Sequence, residues 1–406
     1  MVAVCHWGIF VLVLLGNIGF WVHWFNRVNS TGLPRRQIKR LEKLVIVACF
    51  VVPGFIVWRD FSWLSHWLSI HEAKVPIDSP FFYAPWTSLV QAGVSFAALL
   101  WHGPPWLIGR WRLRIPPKAL IHSTSQRIDL RQKYGKAIYA KRWVKLLGLI
   151  PGNQLHLLDT SSHEVRVNRL VLPHDGLRLG HLSDVHLTGY MHFDFYREAV
   201  DRLMATKPNM VLLTGDLIDY EFCLKQVQPL LESVAAPLGC YFVLGNHDRR
   251  LKNVDRLRAM LGELGWHDLG TQSQTIEHSG HEIYFVGNER PWFDSPVRCQ
   301  NERDTLNRRQ QAALRIGLSH SPDQIRWARD LQLDLLLCGH THGGQVRLPW
   351  IGPVVAPSRY GSRFASGWFL SGTTLMHVSR GLSGTHPLRV ACTPEVSSIV
   401  LRVPNA

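Results

Sequence analysis

Residues Cys240–Asp248 read CYFVLGNHD. An apolar run suited to a buried strand ends in a glycine, and three polar side chains, Asn246, His247 and Asp248, follow at once. Packing has no use for such an ending, although a single asparagine turn would explain one instance of it. The decision rests on whether other strand ends carry the same chemistry.

They do. In RLGHLSDVHLTG (178–189), Asp184 and His186 follow the run Leu177–Ser183, and their i, i+2 spacing sets both side chains on one side of an extended chain. MVLLTGDLID (210–219) places Asp216 just past Met210–Thr214. IGLSHSPD (316–323) does the same with His320, and LDLLLCGHTHGG (333–344) ends in His340 and His342. A helix cap or a turn accounts for each alone. Their repetition at the ends of successive strands points instead to a site, because α/β folds build sites there. The donors are oxygens and imidazoles without a thiolate, a set that suits Mn, Fe, Zn or Co rather than a structural zinc.

This series resembles the calcineurin-like metallophosphoesterases, whose motifs D-x-H, G-D, G-N-H-[DE], a lone histidine and G-H-x-H recur in order as Asp184–His186, Gly215–Asp216, Gly245–Asp248, His320 and Gly339–His342. The resemblance spans roughly 177–400 and implies a four-layer double β-sandwich flanked by helices with two divalent metal ions, manganese favoured. It implies that Asp184, His186, Asp216 and His342 hold the first metal. Asp216, Asn246, His320 and His340 would hold the second, with Asp216 bridging. The stretch 339–369 with VSRGL (378–382) is similar to a membrane-associated bacterial branch whose substrates include UDP-2,3-diacylglucosamine.

The residue types also make chemical sense on their own. A phosphoester repels hydroxide, and two adjacent cations, about 3.5–4 Å apart in such sites, hold its oxygens and make water acidic enough to attack at neutral pH. The two oxygens of Asp216 can serve both cations, while Asn246 adds a neutral oxygen. His247 is free to act as a catalytic donor to a phosphoryl oxygen or to the leaving group. Asp248 is expected to start a helix or to accept hydrogen bonds behind the ligands. Arg347, Arg359, Arg363 and Arg380 are candidates for a phosphate-bearing head group.

Around this core the chain is long, 406 residues with 46% apolar content, which excludes a mainly disordered protein. Short alternating segments begin near residue 154 and are followed by apolar strands separated by helical patterns such as DFYREAVDRLMAT from Asp194. Residues 154–406 are therefore expected to form an α/β domain, with strands at Leu177–Ser183, Met210–Thr214, Tyr241–Leu244, Glu282–Gly287, Ala313–Ser319, Leu333–Cys338 and Leu375–Ser379. The seven scattered cysteines form no framework and fit a reducing compartment.

The formal charge of +15 is carried by two blocks. Residues 27–43 hold six Lys/Arg against one Glu, and 104–145 hold eleven against one Asp, so the remainder is neutral. Basic blocks beside apolar runs are membrane flanks, and no nucleic acid is expected as a partner. Residues 7–25 are uncharged and of spanning length, without the basic start of a signal peptide. Leu44–Trp58 and Ala84–His102, with Tyr83, Trp86 and Trp101 as interfacial anchors, make about three transmembrane helices in an all-α region, 1–110, followed by a basic juxtamembrane segment, 111–153. The loop around Glu72, Lys74 and Asp78 has no basic excess. The reading is a multi-pass protein of the inner or cytoplasmic membrane with an external amino terminus and a cytoplasmic catalytic domain. The expected function is hydrolysis of a phosphodiester or pyrophosphate in a lipid-linked phosphorylated substrate. A soluble phosphodiesterase acting on cyclic nucleotides and a non-catalytic membrane sensor are the alternatives.

Overall fold

The computed structural model describes residues 2–69, 85–113, 117–294 and 314–404. Glu72, Lys74, Asp78, Tyr83, Ala84, Cys299 and Ala313 lie outside them. The chain divides into two compact units, Met1–Ile115 and Pro116–Ala406.

The first unit is helical: Val2–Asn29, Arg35–Arg59, Phe61–Ser69 and Trp86–Leu113. Trp7–Asn29 and Arg35–Arg59 are long and apolar enough to cross a membrane. The third apolar run also forms a helix and packs on the first, since Gln91 Nε2 donates to Asn17 Oδ1 at 3.0 Å and the His102 ring stacks on His23 at 4.1 Å. The contacts advance in the same direction along both helices, so these two run parallel.

The second unit is built on two sheets. The larger has the order Leu120–Asp129 (β1), Leu157–Arg166 (β2), Glu395–Arg402 (β15), Arg178–Leu182 (β3), Met210–Thr214 (β4), Cys240–Val243 (β5) and Trp266–Asp268 (β6). The smaller has the order Gly367–Ser371 (β13), Thr374–Val378 (β14), Leu335–Cys338 (β10), Leu314–Ser319 (β9), His281–Asn288 (β8) and Gln274–His278 (β7). A short hairpin pairs Arg347–Leu348 (β11) with Gly352–Pro353 (β12).

The runs of apolar residues follow from burial on both faces. In β4, Met210 and Leu212 point into the core between the sheets, with Tyr241, Phe285, Ile316 and Leu337. Val211 and Leu213 point the other way, onto Phe195, Tyr196 and Leu203 of the helix Phe193–Ala205. On the far side of the smaller sheet, Trp327 of the helix Ile325–Asp330 covers Gly317 and Leu336 lies beside it. Helix, sheet, sheet and helix layers result, as expected.

The segment expected as a basic juxtamembrane stretch behaves differently. Residues 120–129 pair antiparallel with β2 along their whole length, so the second unit begins well before residue 154. A polar strand at a sheet edge carries no apolar alternation to betray it.

Because β3, β4 and β5 are parallel neighbours, as are β9 and β10, their carboxyl ends share one edge of the two-sheet core. That edge carries the site.

Candidate metal centre

Each of the seven candidate ligands stands within a few residues of one of those strand ends. Asp184, His186, Asp216, His340 and His342 have φ of 48°, 49°, 54°, 69° and 50°, the left-handed region that side chains avoid. Each such residue costs about 1–3 kcal/mol, and the surrounding fold must hold it there. The sharp turns return the side chains toward the strand ends they have just left.

Two glycines make room. A Cβ on Gly245 would collide with Asp216 Oδ1, and one on Gly339 would collide with Ser183 and Asp184. That explains the glycine opening GNHD: Asp216 needs its space.

The structure brings the residues together in two groups. Asp184, His186, Asp216 and His342 form one, and Asp216, His320 and His340 form the other. In the first group, His186 Nδ1 donates to Asp219 Oδ2 at 2.7 Å and His342 Nδ1 to the Ser383 carbonyl at 2.9 Å. Both Nε2 atoms are then lone-pair donors, and they face each other at 3.1 Å. Asp184 Oδ1 lies 3.4 Å from His342 Nε2.

In the second group His320 Nδ1 donates to the Thr214 carbonyl at 2.7 Å, which leaves its Nε2 unprotonated. That nitrogen lies 3.1 Å from Asn246 Oδ1, 3.2 Å from His340 Nδ1 and 3.2 Å from Asp216 Oδ2. Asp216 Oδ1 accepts the His247 backbone N–H at 2.7 Å. Its Oδ2 is buried with no hydrogen-bond donor and is also 3.4 Å from His186 Nε2, so it stands between the two groups.

Lone pairs aimed at one another repel unless a cation lies among them, so the donor set fits two divalent metals. The electrostatics agree. Asp184, Asp216 and Asp219 are almost wholly buried. Burial works to lower the His186 imidazole, yet Asp219, Asp184 and Asp216 together push it up to about 10. Burial instead lowers His340 and His342, the latter to about 3, so the carboxylates draw positive charge to His186 and not to every imidazole.

Asp219, Arg250 and Arg389 are functional candidates that residue spacing did not single out. Asp219 takes His186 Nδ1 on one oxygen and His247 Nδ1 on the other. Those direct hydrogen bonds account for the grouping of His186, Asp219 and His247 without a third ion. Burial works to raise the Asp219 carboxyl, but the His186 and His247 rings hold it well below the usual carboxylate range. Burial also lowers His247 to about 4, against the pull of Asp216 and Asp219. Arg250 donates to His247 Nε2 at 2.6 Å and to Asp219 Oδ1 at 3.1 Å. Arg389 is fully buried and donates to the Ser383 and Arg380 carbonyls, at 2.6 and 2.7 Å, behind His342. The only hint of Asp219 in the sequence was the second aspartate of GDLID.

Asp248 is an acceptor, as expected: its carboxylate receives the backbone N–H groups of Gly245, Asp216 and Ile218 at 2.8, 2.9 and 3.0 Å. The four candidate arginines have these surroundings. Arg380 is engaged with Glu395 and Asp159 inside the domain, and Arg347 donates to the Gly343 carbonyl at 2.9 Å. Arg363 lies over the Phe364 ring, and the Arg359 backbone N–H donates to Asp323.

Residues 177–344 match the family model described as calcineurin-like phosphoesterase. The uncharacterized metallophosphoesterase YkuE of Bacillus subtilis is 30% identical over 257 residues, 62% of this chain and 87% of that protein. The phosphodiesterase YaeI of Escherichia coli is 27% identical over 61% of this chain and 91% of its own length. The UDP-2,3-diacylglucosamine pyrophosphatase LpxG of Chlamydia muridarum is 26% identical over 54% of this chain and 82% of its own. With its strand-end motifs in the family's order, the chain belongs to the calcineurin-like phosphoesterases and is a metal-dependent phosphoester hydrolase.

Proposed function

We propose that this protein is a membrane-anchored, two-metal phosphoesterase that cleaves a phosphodiester or pyrophosphate bond in a lipid-linked substrate. The observation that carries the reading is Asp216 Oδ2, buried without a donor between two clusters of lone pairs. Asp184, His186, Asp216 and His342 would hold one ion, and Asp216, Asn246, His320 and His340 the other. The ions, manganese by preference, supply Lewis acidity toward the phosphoryl group and a water activated at neutral pH.

The remaining work belongs to side chains. His247 Nδ1 is fixed on Asp219, which orients Nε2; for that nitrogen to donate to a phosphoryl or leaving-group oxygen it must be protonated and Arg250 must release it, and Asp219 then stabilises the imidazolium. The anionic substrate itself favours that protonation. Asp248 ties the backbone of Gly245 to that of Asp216 and so sets the distance between two ligand loops.

Lipid linkage is supported by the likeness to LpxG, by the apolar helices and by exposed Leu348, Trp350 and Ile351 shortly after His342. Tethering raises the effective concentration of bilayer substrates over soluble ones. We expect kcat/KM for a diacyl nucleotide-sugar in micelles to exceed that for its deacylated head group and for cyclic AMP. Equal values, or faster turnover of cyclic AMP, would favour a soluble substrate. No turnover in manganese-replete protein would favour a sensor.

For the membrane region we propose three spans, an external amino terminus and a cytoplasmic catalytic unit. The basic blocks and the parallel packing of the first and last long helices support it, since alternate spans of a bundle run parallel. Cysteine labelling in sealed membranes should reach an introduced amino-terminal cysteine from outside only. Labelling from the cytoplasmic side would reverse the scheme.

A further inference from the structure

The segment Lys141–Ile150, KRWVKLLGLI, inverts the ordinary pattern of a surface helix. Val144 is buried in the core, and Gly148 sits so close to the Tyr139 ring that a Cβ there would overlap it, so the segment is fixed to the domain. Its outer side carries Trp143, Leu146, Leu149 and Ile150, at 44, 66, 64 and 41% exposure, together with exposed Lys141, Arg142 and Lys145. A water-facing surface does not concentrate four large apolar side chains in eight residues without a partner. Apolar and basic residues on one outer face suit a bilayer interface, where lysine and arginine meet anionic head groups and tryptophan sits at the boundary.

A second element adjoins it. Asn153, just past this segment, and Val346, at the start of the β11–β12 hairpin, each form a bridge with Val390. The hairpin tip exposes Leu348, Trp350 and Ile351, with Trp350 at 92%. The two elements thus meet at Val390, whose neighbour Arg389 lies 3.4 Å from His342 Nδ1.

We infer that the catalytic unit carries its own docking surface for an anionic bilayer, formed by residues 141–150 and the hairpin tip at 348–351. The occupant follows from charge: this outer face has three cations and no acidic residue, and the same chain holds two helices fit to cross a membrane. Docking brings the mouth of the site to the head-group plane. It does not depend on which substrate is cleaved.

The test is hydrogen exchange on the full chain in detergent, in phosphatidylcholine nanodiscs and in nanodiscs containing phosphatidylglycerol. Exchange in 141–152 and 346–353 is expected to slow in the anionic discs above all. The double variant Lys141→Gln, Lys145→Gln should weaken that protection by roughly five-fold per cation, the worth of one lysine near an anionic leaflet. Leu146→Ser with Leu149→Ser should remove it, while hydrolysis of soluble bis-p-nitrophenyl phosphate is unchanged in both variants and reports that they fold. Equal protection in detergent would mean that protein covers the segment and would overturn the inference, as would no protection in any medium. Protection alike in neutral and anionic discs would overturn the charge assignment. Absence of bis-p-nitrophenyl phosphate hydrolysis in the unaltered chain would strike the enzymatic reading and leave docking standing.

Discussion

Replacing Asp216 by asparagine is expected to lower kcat by about 10³-fold or more and to reduce metal occupancy in both halves of the centre. The size follows from position. Asp216 Oδ2 lies 3.4 Å from His186 Nε2 and 3.2 Å from His320 Nε2, so one carboxylate faces both clusters. Asparagine keeps the volume and an oxygen but loses the charge. Its amide would also place a donor or a neutral oxygen among lone pairs that need a cation. Turnover of bis-p-nitrophenyl phosphate under saturating manganese measures the loss. A variant that retains a tenth of the activity would mean that Asp216 does not bridge.

His247→Ala is expected to lower kcat by about 10²–10³-fold while both metals stay bound. His247 Nδ1 is committed to Asp219, its Nε2 faces Arg250, and its nearest approach to Asp216 Oδ2 is 3.9 Å, outside the donor clusters. On the proposed reading the ring acts on substrate and does not ligate a metal. Asp219→Asn is the companion. Because Asp219 also orients His186, that change should cost about 10–100-fold and weaken metal affinity as well. Loss of metal in His247→Ala would instead make His247 a ligand.

The candidate ligand positions were legible because they put polar donors on strand ends that are otherwise continuously apolar. Asp184, His186, Asp216, Asn246, His320, His340 and His342 interrupt runs whose burial is almost complete on both sheet faces. Asp219 was not legible. Its importance lies in two histidines 33 and 28 residues away in the chain, and an aspartate after Leu-Ile looks like any turn acceptor. The same non-locality hid Arg389, whose partners are carbonyls of a loop. Arg380 shows the opposite case: an arginine beside a motif suggests a substrate, and the fold also sets it against Glu395 and Asp159, far from it in the chain.

Strands follow the same rule. β4 and β9 announce themselves because both of their faces are covered. β1, LIHSTSQRID, lies at a sheet edge and is exposed along most of its length, so its basic and hydroxyl residues read as a tail. The strand β15 escapes for a third reason. It is buried up to its last residue, yet contains Ser397 and Ser398, and it inserts between β2 and β3 from the far end of the chain.

On the proposed reading, seven side chains serve two ions, with Asp216 common to both. Metal analysis of the purified full chain, saturated with manganese and freed of excess, tests it most directly. Two ions per chain, falling in Asp216→Asn but not in His247→Ala, is the predicted result; one ion per chain at saturation would contradict it.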